Sequence, residues 1–167
     1  TLVVCYDEAP YPLGSARFWW TMHYFGHHRV KILSGGVRQW TMEGRPLFQA
    51  IPKPPKTTFT PKVNEAIRAT KETVKRSLNH QETILIDCLP ARTYFGKVIN
   101  SWSTRKGHIP GAVWLPPAEL IKGLERSSPP EERAKSMAND KPYAFFPIED
   151  LRKIFSRVGV AQGKRVI

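Results

Sequence analysis

Cysteine, acidic residues and long apolar runs are all scarce in this sequence. The 167 residues include two cysteines, whose spacing matches neither a zinc motif nor a disulfide framework, so we expect a reducing intracellular compartment. No uninterrupted apolar run approaches the roughly 20 residues that a membrane helix needs, so no membrane span is predicted. Acidic residues number 14 against 26 basic ones, and the resulting net charge of +12 suits an anionic partner or a compartment of basic proteins.

The basic residues are spread along the chain and are densest at Arg68, Lys71, Lys75 and Arg76. We predict that these four lie on one solvated face of a helix. Contact with RNA is the alternative, but no RNA-binding signature accompanies them. The sequence begins at Thr1 with no charged leader before its first apolar run, so the N-terminus itself predicts no compartment.

What the chain does contain is enough apolar sequence for a core and an alternation of strand and helix patterns. The apolar fraction is 41%. Short β-rich runs alternate with amphipathic segments, which is typical of a parallel α/β sheet. We predict strands over 2–6, 29–33, 83–88, 108–116 and 164–167, and helices over 15–25, with Ser15 as N-cap, 34–44, 63–79, 116–124 and 148–159. The charged stretch 126–142 is predicted to be a loop or a short helix.

A proline-rich segment divides the pattern into two parts. Residues 48–62 carry prolines and lysines without periodicity and are predicted to be a semi-extended linker. The expected organisation is therefore one α/β part over 1–47 and a second over 63–167.

Both parts resemble a known family. "VVCYD", "ARFWWTMHYFGHHRV", "GGVRQW" and "EGRPL" are similar to the second half of the N-terminal domain of the tandem rhodaneses, and "ILIDC" and "GHIPGA" to the first half of their C-terminal domain. That family comprises the thiosulfate and 3-mercaptopyruvate sulfurtransferases. The resemblance implies two partial rhodanese-like units, each a parallel sheet with flanking helices, joined by the linker.

The resemblance also implies a chemistry. A cysteine thiolate at the start of a loop takes a sulfur atom from a donor and passes it, as a persulfide, to an acceptor. In the N-terminal domain an acid usually stands at that loop position, which is here Asp7. Cys5 lies two residues earlier in the strand and is interpreted as a small buried hydrophobe.

In the second part, the family's "D-x-R-x-x-x-R" pattern is altered. Asp87 is retained with a structural role at a strand end, but Leu89 and Thr93 stand where the family has two donor-binding arginines. Arg92 lies one position away and is at best a weak anion contact, since a one-residue shift redirects the side chain. Cys88 is interpreted as a core residue.

The resemblance places the catalytic cysteine in a loop after Ile167, so this chain has no predicted catalytic residue. Two hypotheses follow. The chain is a degenerate, inactive rhodanese-like structural subunit of a larger assembly, with protein partners completing its half-domains; its basic charge favours a mitochondrial location. Alternatively, it is an internal segment of an active sulfurtransferase.

Three histidines are weaker candidates. His23 and His27 are four residues apart, a metal-binding spacing on a helix, but Gly26 interrupts that helix and no third ligand is evident. His108, in "GHIPGA", is interpreted as a turn residue. We therefore predict no metal and no cofactor.

Overall fold

The computed structural model describes residues 1–8, 12–99, 101–122 and 142–167, and they form two compact units. The first unit comprises residues 1–68 and, of its second segment, the described residues 142–144. The second comprises the described residues of 69–122 and 145–167. Residues 48–64 have neither helix nor strand, and 63–68 belong to the first unit. Within the described residues, no helix has both the length and the apolar character needed to cross a membrane.

The first unit is built on two parallel strands. Its elements are β1 (Val3–Cys5), α1 (Leu13–Tyr24), β2 (Val30–Ile32), α2 (Gly36–Met42) and a 3-10 helix (Glu65–Ile67). Val3 pairs with Val30 and Cys5 with Ile32, and Val30 is almost fully buried. Because both strands run in the same direction, the residues that follow β1 and β2 emerge at one edge of the sheet.

The second unit repeats this arrangement with shorter strands. Its elements are α3 (Lys71–Ser77), β3 (Thr83–Ile84), β4 (Ile86–Asp87), α4 (Ala91–Tyr94), β5 (Val113–Trp114), a 3-10 helix (Pro117–Leu120), β6 (Ile121–Lys122), β7 (Ala144–Phe145, at the boundary of the units), α5 (Ile148–Arg157) and β8 (Arg165–Val166). β3 pairs in parallel with β8, and β4 in parallel with β5. Leu85, between β3 and β4, is buried together with Leu115 and Ile121.

The helix predicted over 63–79 is wrong, because two local capping signals divide it. The Asn64 side chain accepts a hydrogen bond from Ala66 N and starts the 3-10 helix. Thr70 accepts one from Thr73 N and starts α3. Arg68 lies between them in extended conformation, so it is not on one helix face with the lysines of α3, and the predicted single basic face does not form.

Other local predictions also differ from the structure. Of the strand predicted over 108–116, Val113–Trp114 forms a strand and the remaining residues do not. Ser15 is the third residue of α1, which begins at Leu13, and is therefore not the N-cap. Where the structure describes the helix predicted over 116–124, it has the 3-10 helix Pro117–Leu120 followed by β6, so that prediction is wrong there, and residues 123–124 lie outside the described part. The prediction for 126–142 falls on residues that, except for 142, lie outside the described part.

Candidate functional site

Asp7 lies at the sheet edge where the chain leaves β1, and its carboxylate binds the first turn of α1. Oδ2 accepts hydrogen bonds from Ser15 N at 2.9 Å and from Ser15 Oγ at 2.6 Å. Ser15 is only 3% exposed. The absence of a side chain at Gly14 makes this approach possible, since a Cβ there would lie 2.6 Å from Asp7 Oδ1. The carboxylate thus satisfies an amide that the helix N-terminus leaves without a partner.

The backbone of Asp7 is held by the turn that follows β2. Val37 N donates to Asp7 O over 3.1 Å. Gly36 has a φ of +58°, and a Cβ at that position would stand 2.3 Å from the same carbonyl oxygen. Only glycine permits this close approach of the two backbone segments. Asp7, the residue at which the loop after β1 begins, is therefore held through both its side chain and its backbone.

Tyr143 closes this site, and the sequence reasoning missed it. It is 4% exposed, and its hydroxyl donates a hydrogen bond to Leu33 O at 2.9 Å. Burial raises the pKa of Tyr143, and the nearby carboxylate of Asp7 raises it further. The sequence feature that could have indicated a buried residue here is the aromatic-rich segment "PYAFF", which follows a long charged stretch directly. The site in the first unit thus consists of the Asp7 carboxylate, the hydroxyls of Ser15 and Tyr143, and the backbone of Gly36 packed against that of Asp7.

Cys5, next to this site, is half-buried and acts as a hydrogen-bond donor. Its Sγ lies 3.1 Å from Lys31 O and 3.5 Å from Ser15 O. Burial is the largest cause that raises the pKa of its thiol, and the Asp7 carboxylate adds to it. The nucleophilic form of cysteine is the thiolate, so this environment disfavours nucleophilic chemistry.

In the second unit, Asp87 shapes the turn after β4. Its Oδ1 accepts a hydrogen bond from Leu89 N at 2.8 Å, and its carbonyl accepts one from Leu115 N at 3.0 Å. The carbonyl of Leu89 accepts another from Trp114 Nε1 at 2.8 Å. The carboxylate and the indole together fix the backbone of Leu89. This geometry agrees with the structural role expected for Asp87.

Thr93 and Arg92 are adjacent on α4 but point in different directions. Thr93 is 7% exposed, whereas Arg92 is exposed. Consecutive helix residues are about 100° apart around the axis, so the two side chains leave α4 on different sides. The inner side of this turn therefore carries a hydroxyl where the family's pattern has a guanidinium.

The core assignment of Cys88 is wrong. The residue is exposed, because β4 ends at Asp87 and the chain turns outward there. Desolvation by the surrounding chain still raises the pKa of its thiol, with the Asp87 carboxylate as a smaller cause. As at Cys5, the protonated thiol is favoured at neutral pH.

The histidines are placed differently from the metal-binding spacing seen in the sequence. Nε2 of His27 lies 3.2 Å from Arg29 O, whereas His23 faces His28. His108 stacks on Tyr94 with ring centroids 3.8 Å apart, and its Nδ1 lies 2.9 Å from the Tyr94 carbonyl oxygen. Across the described part of the chain, no three or more His, Cys, Asp or Glu side chains gather as a metal site.

Similarity to known proteins was found at the level of individual relatives, while no protein-family model matches the chain. The chain is 34% identical over 136 residues to the 3-mercaptopyruvate sulfurtransferase of Homo sapiens, covering 79% of this chain and 45% of that protein. It is 31% identical over 132 residues to the thiosulfate sulfurtransferase of Gallus gallus, covering 76% and 45% respectively. The chain thus spans about half the length of the curated relatives it matches.

Solved structures agree with these relatives. The rhodanese-fold 3-mercaptopyruvate sulfotransferase SseA of Escherichia coli superposes with a TM-score of 0.76 at 24% sequence identity, covering 99% of this chain and 55% of that one. The similarity confirms the fold predicted from the sequence.

Proposed function

The chain belongs to the tandem rhodanese family of sulfurtransferases, and within that family we propose that it is a degenerate member that does not itself transfer sulfur and serves as a structural subunit of a larger assembly. The observation that carries this proposal is the turn after β4. Leu89 and buried Thr93 stand where the family pattern has its two arginines, and Arg92, one position away, is exposed and is at best a weak anion contact. A site without these guanidinium groups lacks the bidentate, charge-assisted hydrogen bonds that would bind an anionic sulfur donor.

The thiols and the loop of the first unit support the same proposal. Asp7 stands where the resemblance places the nucleophile of an active domain, and its carboxylate is already bound by Ser15. Both cysteines have raised thiol pKa values. Neither thiol therefore has the electropositive surroundings that make a cysteine reactive.

Sulfur transfer by the 167-residue chain is the direct test. In the reaction tested, a thiolate attacks the outer sulfur of thiosulfate, sulfite leaves, and cyanide then takes the sulfur from the persulfide as thiocyanate. We expect thiocyanate to form at the protein-free rate, and intact mass spectrometry to show no chain carrying an added sulfur atom after incubation with thiosulfate.

The bovine thiosulfate sulfurtransferase, another relative, serves as the active control in the same assay. Circular dichroism would establish that the tested chain is folded. Thiocyanate production above the protein-free rate, abolished by Cys5→Ser or Cys88→Ser, would contradict the inactive assignment and identify the thiol responsible.

A second candidate function is supported by the end of β8. Ile167 O accepts a hydrogen bond from Ile86 N at 2.7 Å, which places the carboxyl end of β8 beside β4. In a longer protein, residues following Ile167 would emerge at the edge where Asp87 and Leu89 lie. The alternative proposal is therefore that the chain is an internal segment of an active enzyme whose cysteine loop follows Ile167.

The encoded sequence after Ile167 separates the two candidates. A cysteine loop there, together with thiocyanate production by the longer protein and none by the 167-residue chain, would favour the enzyme. If neither the longer protein nor the 167-residue chain produces thiocyanate above the protein-free rate, the structural subunit is favoured.

Protein partners are proposed for the uncovered face of β1. Val4 in β1 and its flanking neighbours Leu2 and Tyr6 alternate along the chain and are 50–62% exposed, so in the part of the chain that the structure describes nothing fully covers this apolar side of the sheet. We propose that protein completing the rhodanese-like unit covers it, in the same polypeptide or in a partner. RNA contact through basic residues such as Arg68, Lys71, Lys75 and Arg76, and a mitochondrial location, stay predictions from the basic charge.

A further inference from the structure

Two histidine side chains face each other at the carboxyl end of α1. Nδ1 of His23 lies 3.1 Å from Nδ1 of His28, and the ring centroids are 5.0 Å apart. His23 is half-buried and His28 is exposed, so the pair is open to solvent. We propose that these two nitrogens form a binding site for a divalent transition metal ion that favours imidazole, of the class of Cu²⁺, Ni²⁺ and Zn²⁺.

The backbone brings the two residues together. Gly26 has a φ of +86° and donates its N–H to His23 O at 3.1 Å, while His27 N donates to Met22 O at 2.8 Å. These two bonds and the left-handed glycine constitute a Schellman motif, which reverses the chain at the helix end. His28 follows immediately and returns over the last turn of α1, where His23 lies. The pairing is thus set by hydrogen-bonded backbone and does not depend on side-chain conformation alone.

The separation of the two nitrogens suits a shared metal. With metal–nitrogen bonds of about 2.05 Å, a 3.1 Å separation corresponds to a nitrogen–metal–nitrogen angle of about 98°. This value lies between the right angle of octahedral or square-planar coordination and the tetrahedral angle. One proton shared between the two rings would give the same distance, so the experiment must distinguish a metal from a proton.

The surroundings of His23 disfavour its positively charged form. Desolvation lowers the pKa of His23, and the neighbouring His28 and His27 lower it further. Imidazole binds metals in its neutral form. Since no group of three or more candidate ligands occurs among the described residues, water would complete the coordination sphere.

Trp19 provides a built-in reporter for this site. Its ring centroid is 4.0 Å from that of His23, close enough for a bound paramagnetic ion to quench its fluorescence. We expect CuSO₄ and NiCl₂ to quench tryptophan fluorescence with saturation at one ion per chain, and EDTA to reverse the effect. His23→Ala and His28→Ala should each weaken the affinity by about tenfold or more, since each removes one of two protein ligands.

Two control variants sharpen the test. His27→Ala should retain the affinity, because Nε2 of that ring faces the Arg29 carbonyl. Trp19→Phe should retain Ni²⁺ binding by calorimetry but lose most of the quenching. Circular dichroism would verify the fold of each variant. Absence of saturable binding, as a shared proton alone would produce, would overturn the proposal, and so would wild-type affinity in both His23→Ala and His28→Ala.

Discussion

Replacing Asp7 with alanine is expected to lower the free energy of unfolding of the first unit by about 2 to 3 kcal/mol. The variant removes the carboxylate that accepts hydrogen bonds from Ser15 N and Ser15 Oγ. Since Ser15 is buried, both donors would be left without their charged acceptor. Asp7→Asn keeps an acceptor oxygen without the charge and should cost about half as much, because charge-assisted hydrogen bonds are about twice as strong as neutral ones.

Urea unfolding followed by tryptophan fluorescence would measure these differences. Glu8→Ala is the matched control, since it removes the adjacent, exposed carboxylate and should change stability by no more than about 0.5 kcal/mol. Asp7→Ala and Ser15→Ala should also be strongly non-additive when combined, because they remove the same interaction. Equal unfolding midpoints for Asp7→Ala and Glu8→Ala would contradict the structural role assigned to Asp7.

The second large effect is expected at Gly36. A Cβ there would stand 2.3 Å from Asp7 O, and the backbone φ of +58° is itself unfavourable for alanine. Gly36→Ala should therefore destabilise the first unit by about 3 kcal/mol or more, through strain and loss of close contact between the two backbone segments.

Gly44 offers a control with similar backbone geometry but no steric conflict. Its φ is +68°, and an added Cβ would meet nothing within 4 Å. Gly44→Ala should cost about 1 to 2 kcal/mol, the backbone penalty alone. Soluble yield and unfolding midpoint of the two variants provide the comparison. If Gly36→Ala is no less stable than Gly44→Ala, the packing of the β2 turn against Asp7 has no energetic importance.

Stabilisation of this kind gives Asp7 a physical role that does not depend on catalysis. The Asp7 carboxylate accepts a hydrogen bond from Ser15 N in the first turn of α1, and the Asp7 carbonyl accepts one from Val37 N, so both the side chain and the backbone of Asp7 are held in place. A chain that acts as a structural subunit needs a stable loop and has no need of a reactive one. The Asp7 and Gly36 variants test this role without requiring any catalytic activity.

The sequence by itself determined the α/β class, the family, and the residue types at the decisive positions. Strand and helix patterns are local, so short apolar runs and turn residues predict them. Asp7, Leu89 and Thr93 could be assigned by their place in motifs, whatever their surroundings. The short irregular elements were harder to predict, because Asn64 and Thr70 each begin a new helix within a pattern whose periodicity continues across both.

Only the tertiary structure decided which of these residues meet. Hydrogen bonds join Asp7 to Ser15, Thr93 is buried while its neighbour Arg92 is exposed, and Cys88 is exposed at the end of β4. Tyr143 reaches the carbonyl of Leu33 across 110 positions of sequence. Such contacts depend on how the elements pack and where backbone turns reverse the chain. Neither the periodicity of a segment nor the spacing of its residues carries that information.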